Sequence, residues 1–289
     1  MRKPLFICML VSLFACDPNV ELESIKPDNL VSVTCFISPQ DTVFTAYVFR
    51  ASAIGSTVKT DSAAVKDAQV TISDGLNYDT LYLTSEFDPD TKITKYKYLG
   101  KPKHISVTAN STYALNVKVR QVVHLSATCT IPPAVESVKV EGNRLNDDYP
   151  FSTEWNNPTR HKYFLLVLEA RGNYLNPYPG GGGTIDLKPE LIDDIEFPSD
   201  KQVIQNKYDG IMTYAYRADN PLLKVSVKNI DEDTYKYFTT YQQYATWDLN
   251  NSGNIFPNFK DVPLIHSNIN GGVGIFGGQN ANSIFIQIE

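Results

Sequence analysis

From Leu30 onward, the chain reads as short runs of β-branched and aromatic residues, broken by turn formers roughly every ten positions. Leu30–Ile37, Thr42–Phe49, Ala68–Ser73, Asp79–Leu83, Lys92–Tyr98, Tyr113–Val119 and His124–Ile131 are each of strand length. Tyr113–Val119 alternates apolar and polar positions, which fits a strand with one wet face. Asp74-Gly75 stops the third run as a turn with its own chemistry. Seven such strands predict an immunoglobulin-like β-sandwich over residues 30–133. Pro132-Pro133 ends it, because successive prolines remove ladder donors and favour an extended connector.

A second unit, 134–289, is expected to be a further β-sandwich with one inserted helix. Val135–Val140, Tyr149–Trp155 and Lys162–Ala170 read as strands, the last apolar enough to be central. After Tyr174, Tyr178 and Gly180–Gly183 a long excursion is expected, running to about Asp209. Leu222–Val227 is a strand. Asp231–Trp247 is the convincing helix, with acidic residues in its first turn and Tyr235, Phe238, Gln242 and Ala245 along one face. The glycine-rich Gly271–Gly278 and a final strand, Ser283–Ile288, close the chain.

The first residues carry a different pattern. Arg2 and Lys3 precede a short apolar run, Leu5–Leu13, and Ala15 precedes Cys16. Spanning a bilayer takes about 20 apolar residues, so the run reads as a cleaved export signal, 1–15. A cysteine at the cut predicts lipidation of Cys16 by diacylglycerol and a further acyl chain such as palmitate, and several chains hold a protein on a membrane where one does not. The plainer reading is an export signal with a chance cysteine, Phe14 being bulkier than the usual residue there. Residues 16–29, with Asp17, Glu21 and Glu23, read as an acidic tether. Loss of Arg2 and Lys3 takes the formal charge from −6 to −8, so nothing draws the chain to nucleic acid. Of the remaining cysteines, Cys35 and Cys129 form either a disulfide in an oxidising compartment or two buried thiols.

Candidate chemistry is sparse. Gly272, Gly274 and Gly277 have the dinucleotide spacing, yet the chain behind them has no room for the helix and acidic residue that such a site needs. Close backbone packing or a bulged strand explains them better. His104, His124, His161 and His266 are not at metal-ligand spacing, and no nucleophile elbow or paired Cys–His stands out. No cofactor, metal or enzymatic activity is expected. Tyr174 and Tyr178 are the candidate ligand-binding residues, since loop tyrosines combine an apolar face with a hydroxyl suited to glycan or peptide.

Ala68-Gln-Val-Thr-Ile-Ser-Asp-Gly75, Ser126-Ala-Thr-Cys-Thr-Ile-Pro-Pro133, Gly253-Asn-Ile-Phe256 and Ser267-Asn-Ile-Asn-Gly-Gly-Val-Gly-Ile-Phe-Gly277 follow the lipobox in one order. Together they resemble the domain-of-unknown-function 4249 family of Bacteroidetes envelope lipoproteins over nearly all of the mature chain. The resemblance implies an outer-membrane lipoprotein, lipid-anchored and facing the cell surface or the periplasm. It would act as the accessory binding subunit of a TonB-dependent receptor in nutrient uptake. It supplies no catalytic residues. A free-standing surface adhesin or glycan-binding module is the alternative expectation.

Overall fold

The computed structural model describes residues 30–50, 63–89, 92–120, 123–142, 149–174, 182–186, 190–192, 201–208, 218–251 and 263–287. The signal, the tether and Cys16 lie outside these. The described part is mainly β.

Alternation decides which way the first strands face. In β1 (Val31–Ile37) the side chains of Val31, Val33, Cys35 and Ile37 are all buried, while the positions between them point outward. β2 (Phe44–Arg50), β3 (Ala68–Ser73), β4 (Tyr78–Asp88), β5 (Ile93–Gly100), β6 (Thr112–Val119) and β7 (Val123–Thr130) complete the set. β1, β2, β5 and β4 form one layer, and β4, β3, β6 and β7 the other. β4 belongs to both: Tyr78–Leu81 pair with β3, and Tyr82–Asp88 pair with β5. One core fills the space between the layers, with Phe44, Val70, Ile72, Leu115, Val117 and Leu125 among its members. Two tyrosines tie loops to it. Tyr113 accepts from the Thr108 N–H and donates to Ser106 C=O at 2.8 and 2.7 Å, the tyrosine-corner geometry of immunoglobulin-like sandwiches. Tyr98 makes a similar pair of hydrogen bonds, accepting from the Ala68 N–H and donating to Val65 C=O.

The remaining strands are β8 (Glu136–Gly142), β9 (Tyr149–Asn156), β10 (Phe164–Tyr174), β11 (Gly182–Asp186), β12 (Glu190–Ile192), β13 (Lys201–Tyr208), β14 (Ala218–Ile230) and β15 (Val273–Gln287), and β8, β9, β10, β14 and β15 build a second core. β13-β9-β8 is a small separate sheet, whereas β10, β14 and β15 extend the large one. Trp155, Phe164, Leu166, Leu168, Leu223, Val225 and Val227 pack together here. The excursion expected between Gly180 and Asp209 instead supplies β11, β12 and β13, short strands whose polar composition hid them. Pro221 falls where the β10–β14 register slips between Arg171 and Asn173, at a bulge where its missing N–H leaves no ladder bond broken.

β15 joins the two cores. Its first half pairs in parallel with β1, from Ser32↔Val273 to Ile37↔Gly278, and its second half pairs antiparallel with β14. Phe276 therefore enters the first core, while Ile284 and Ile286 pack against the second. In space, residues 273–278 belong with 30–133. The glycines make this possible. A Cβ on Gly274 would lie 1.9 Å from the Val33 carbonyl oxygen, and its φ of +118° is one that L side chains rarely adopt. A Cβ on Gly272 would lie 2.5 Å from Val31 O. The dinucleotide spacing is thus an imprint of close packing against β1.

Polar side chains fix the junction. Asn229, Asn280 and Asn282 donate their amides to the carbonyls of Pro133, Pro132 and Val135 at 2.8, 3.0 and 3.1 Å. The diproline is therefore a clamped crossing and not a loose connector. Gln40 completes it, donating to Asn280 Oδ1 and accepting from the Ala281 N–H. Helix α1 (Glu232–Asn251) starts here too. Asp231 caps it, its two carboxylate oxygens accepting from the Thr234 and Gly278 N–H groups, both at 2.8 Å. Phe238 stacks on the outward ring of Phe36 at 5.5 Å and Tyr235 on Tyr163 at 4.6 Å, so the helix face read from sequence covers part of the sheet. No described helix is long and apolar enough to cross a membrane.

Beside the junction, burial pushes the Asp41 carboxyl up to about 6, opposed by the Ser38 N–H it accepts and by the Lys228 charge. Burial correspondingly pulls Lys228 down.

Gly274→Ala is expected to cost more than about 3 kcal/mol, through backbone overlap and strain, and to prevent stable folding. Gly75→Ala, also at positive φ (+92°) but with open space around it, should cost only about 1 kcal/mol; thermal melts of the two variants check the contrast. Asp41 holds its proton more tightly folded than unfolded, so its contribution to stability is complete below about pH 4 and is lost as pH rises through about 6. Asp41→Asn keeps an acceptor for Ser38. Near pH 4.5 it should match the parent, and at pH 7.5 it should be more stable by about 1 kcal/mol, Lys228 taking back part of the gain. Chemical denaturation at the two pH values reads the difference.

Candidate functional site

The expected site residues lie only in part among the described ones. Tyr174 ends β10, its backbone paired with Ala218, and Tyr178 lies outside the described residues, as does Cys16. Cys35 and Cys129 are free thiols buried in the first core. β1 and β7 are not neighbours in a sheet, although both thiols point into the same core. Burial pushes both thiols up, Asp41 adding to the effect at Cys35 and Asp231 at Cys129, which leaves them protonated and unreactive.

The histidines also separate. His161 sits against Phe164 with its Nε2 2.8 Å from Ile230 O, and burial pulls its pKa down. His266 meets Asp233 at 2.9 Å, and His104 and His124 are exposed. Among the described residues no group of three His, Cys, Asp or Glu side chains is placed to hold a metal ion.

What the structure does assemble is an apolar surface on the first sandwich. Among the described residues, α1 meets the outer face of the β1-β2-β5-β4 layer over β1, where Phe36 stacks on Phe238. Farther across, the face carries aromatic residues, partly or largely exposed, where sandwiches usually present polar ones. Tyr47 stacks on Phe49 at 6.4 Å, and Leu99 pairs across to Tyr82. Tyr82 is 70% exposed, Tyr78 63% and Leu76, at the tip of the β3–β4 turn, 93%.

These side chains run into an open cleft of about 710 Å³ at one end of the layer. Its lining includes the apolar Val43, Leu76, Tyr78, Tyr82 and Leu99, together with Lys101, Lys103 and His104 on the loop after β5. Asp79 holds that loop in place. Its buried carboxylate accepts the N–H groups of Lys103, His104 and Ile105 at 2.9 to 3.2 Å. On the β3–β4 turn, Asp74 Oδ1 accepts from Leu76 and Asn77 N–H at 2.9 and 2.7 Å, so the Asp74-Gly75 turn that carries Leu76 is also pinned. Sequence reasoning passed over these residues, but a signal was present: Phe44–Phe49 and Tyr78–Leu83 carry apolar side chains on both parities, which a strand with one wet face does not need.

The described residues thus present a β-sandwich with exposed aromatic side chains beside an open cleft. The chain belongs to the family described as domain of unknown function (DUF4249), whose model matches residues 17–284. No curated protein matches the chain. Solved structures similar to it include a DUF3823 family protein from Parabacteroides merdae, 12% identical, covering 69% of this chain and 92% of that one with a TM-score of 0.22. The FN1–FN3 domains of chicken CNTN1 are 8% identical, covering 89% and 69% with a TM-score of 0.22. Likenesses of this size carry no argument about activity.

Asp79→Ala would leave three loop N–H groups without their acceptor. It is expected to cost about 2–3 kcal/mol and to raise amide hydrogen exchange at residues 103–105 well above that of β6, a contrast that mass spectrometry can follow.

Proposed function

We propose that this protein is an envelope lipoprotein, anchored through acyl chains on Cys16. It serves as the accessory binding subunit of a TonB-dependent outer-membrane receptor in nutrient uptake. The observation that carries the reading is the apolar row on the outer sheet face, exposed Tyr47 and Tyr82 with half-buried Phe49 and Leu99, continuing into the cleft. Contiguous exposed apolar area of this kind marks an interaction site, because leaving it in water is unfavourable. Rigid strands hold it, which suits recognition. The lipobox supports the membrane tether, and an acidic chain of net charge −6 supports attachment by lipid and not by charge. The same tyrosines also favour a second reading, a free-standing glycan-binding adhesin.

The experiment is affinity purification of the full-length protein from detergent-solubilised outer membranes of its own cells. The expected result is co-purification of a TonB-dependent receptor, lost in Cys16→Ala, which should move to the soluble fraction. Recovery of the lipoprotein with no receptor contradicts the subunit reading. Persistence of ligand binding and phenotype after deletion of the receptor gene would favour the adhesin.

A further inference from the structure

We infer that the cleft between the β3–β4 turn and the loop after β5 is a binding site for an acidic oligosaccharide, a sugar chain carrying carboxylate or sulfate groups. This deepens the reading of that face as a binding surface and rests on it.

The lining points to this ligand. Tyr78 and Tyr82 line the cleft and are largely exposed. A phenol ring offers a flat apolar surface to the C–H face of a pyranose and a hydroxyl to its edge. Lys101, Lys103 and His104 line the same cleft. No ion pair engages Lys101 or Lys103 among the described residues, whereas Lys95 and Lys97 on the neighbouring arm are bound to Asp88 and Glu86. Asp79 is the one carboxylate in the lining among the described residues, and its oxygens already accept the loop N–H groups. A chain of net charge −6 thus turns two unengaged lysines toward one cleft. Low-dielectric aromatic walls strengthen their field on an anion.

The size also suits the ligand. About 710 Å³ lies in the range of small-ligand clefts and accommodates a few sugar units. An acidic peptide fits less well. Peptides commonly add to a free strand edge, and at this place β5 has none: Leu99 is paired to Thr45 on one side and Tyr82 on the other.

The test is calorimetric titration of the full-length protein in detergent micelles. The probes are an oligogalacturonate tetrasaccharide, a heparin tetrasaccharide, the methyl ester of the first, and a hexaglutamate peptide. Binding of at least one acidic sugar is expected. Its affinity should fall at least fivefold in Tyr82→Ala and in the Lys101→Met/Lys103→Met double variant, with thermal midpoints unchanged. The methyl ester should bind at least tenfold more weakly than its acid, and raised salt should weaken binding. No binding of either acidic sugar at millimolar concentration overturns the inference, as does binding that both variants leave intact. Hexaglutamate binding as tightly as the sugars overturns it in favour of a peptide. Receptor co-purification and sugar titration with the parent protein separate the two proposals: a receptor recovered with no sugar binding defeats only this one, and sugar binding with no receptor defeats only the subunit reading.

Discussion

One strand holds the molecule together. β15 gives its first half to the sheet of the first core and its second half to the sheet of the other, so neither core is complete without it. The constraint is steric before it is energetic. A parallel neighbour can lie on β1 only if it carries no Cβ where the Val31 and Val33 carbonyls approach, and Gly272 and Gly274 meet that condition. The same segment runs beside β7, where Asn270 exchanges backbone hydrogen bonds with Ser126, so strand β7 is not left fully open.

Fixing β15 has consequences at both of its ends. Asn268 grips Phe276 by both backbone groups, its amide donating to the carbonyl at 2.8 Å and its oxygen accepting the N–H at 3.0 Å, which sets where the strand begins. Farther along, Asn280 and Asn282 hold the carbonyls of the diproline segment, and Asp231 ties Gly278 to the start of the helix. The helix then lies over β1, and among the described residues it does not reach the exposed Tyr47 and Tyr82. The surface proposed to bind is the part of the sheet beyond that contact.

The strands of the first sandwich were legible because period-2 alternation and turn residues report burial directly, and Ala68–Ser73 matches its strand to the residue. The helix was legible from its acidic first turn and aromatic stripe. The pairing of β15 with β1 was not, since it joins residues more than two hundred positions apart and no local pattern encodes a partner. The run of glycines announced close packing without saying against what. β11 to β13 were hidden by glycine, proline and charge in the surrounding stretch. Site reasoning looked for tyrosines in loops, whereas Tyr47, Tyr78 and Tyr82 stand on the outward positions of strands, where burial cannot be inferred without knowing which face the helix covers.

If β15 is shared as described, its amides answer to one cooperative structure. Native-state hydrogen exchange along Val273–Gln287 measures this directly. A single opening free energy from Ile275 through Ile286, equal to that of the inward strands of both cores, is the predicted result. Two distinct values divided near Gln279, with the glycine-rich half exchanging independently of β14, would contradict it.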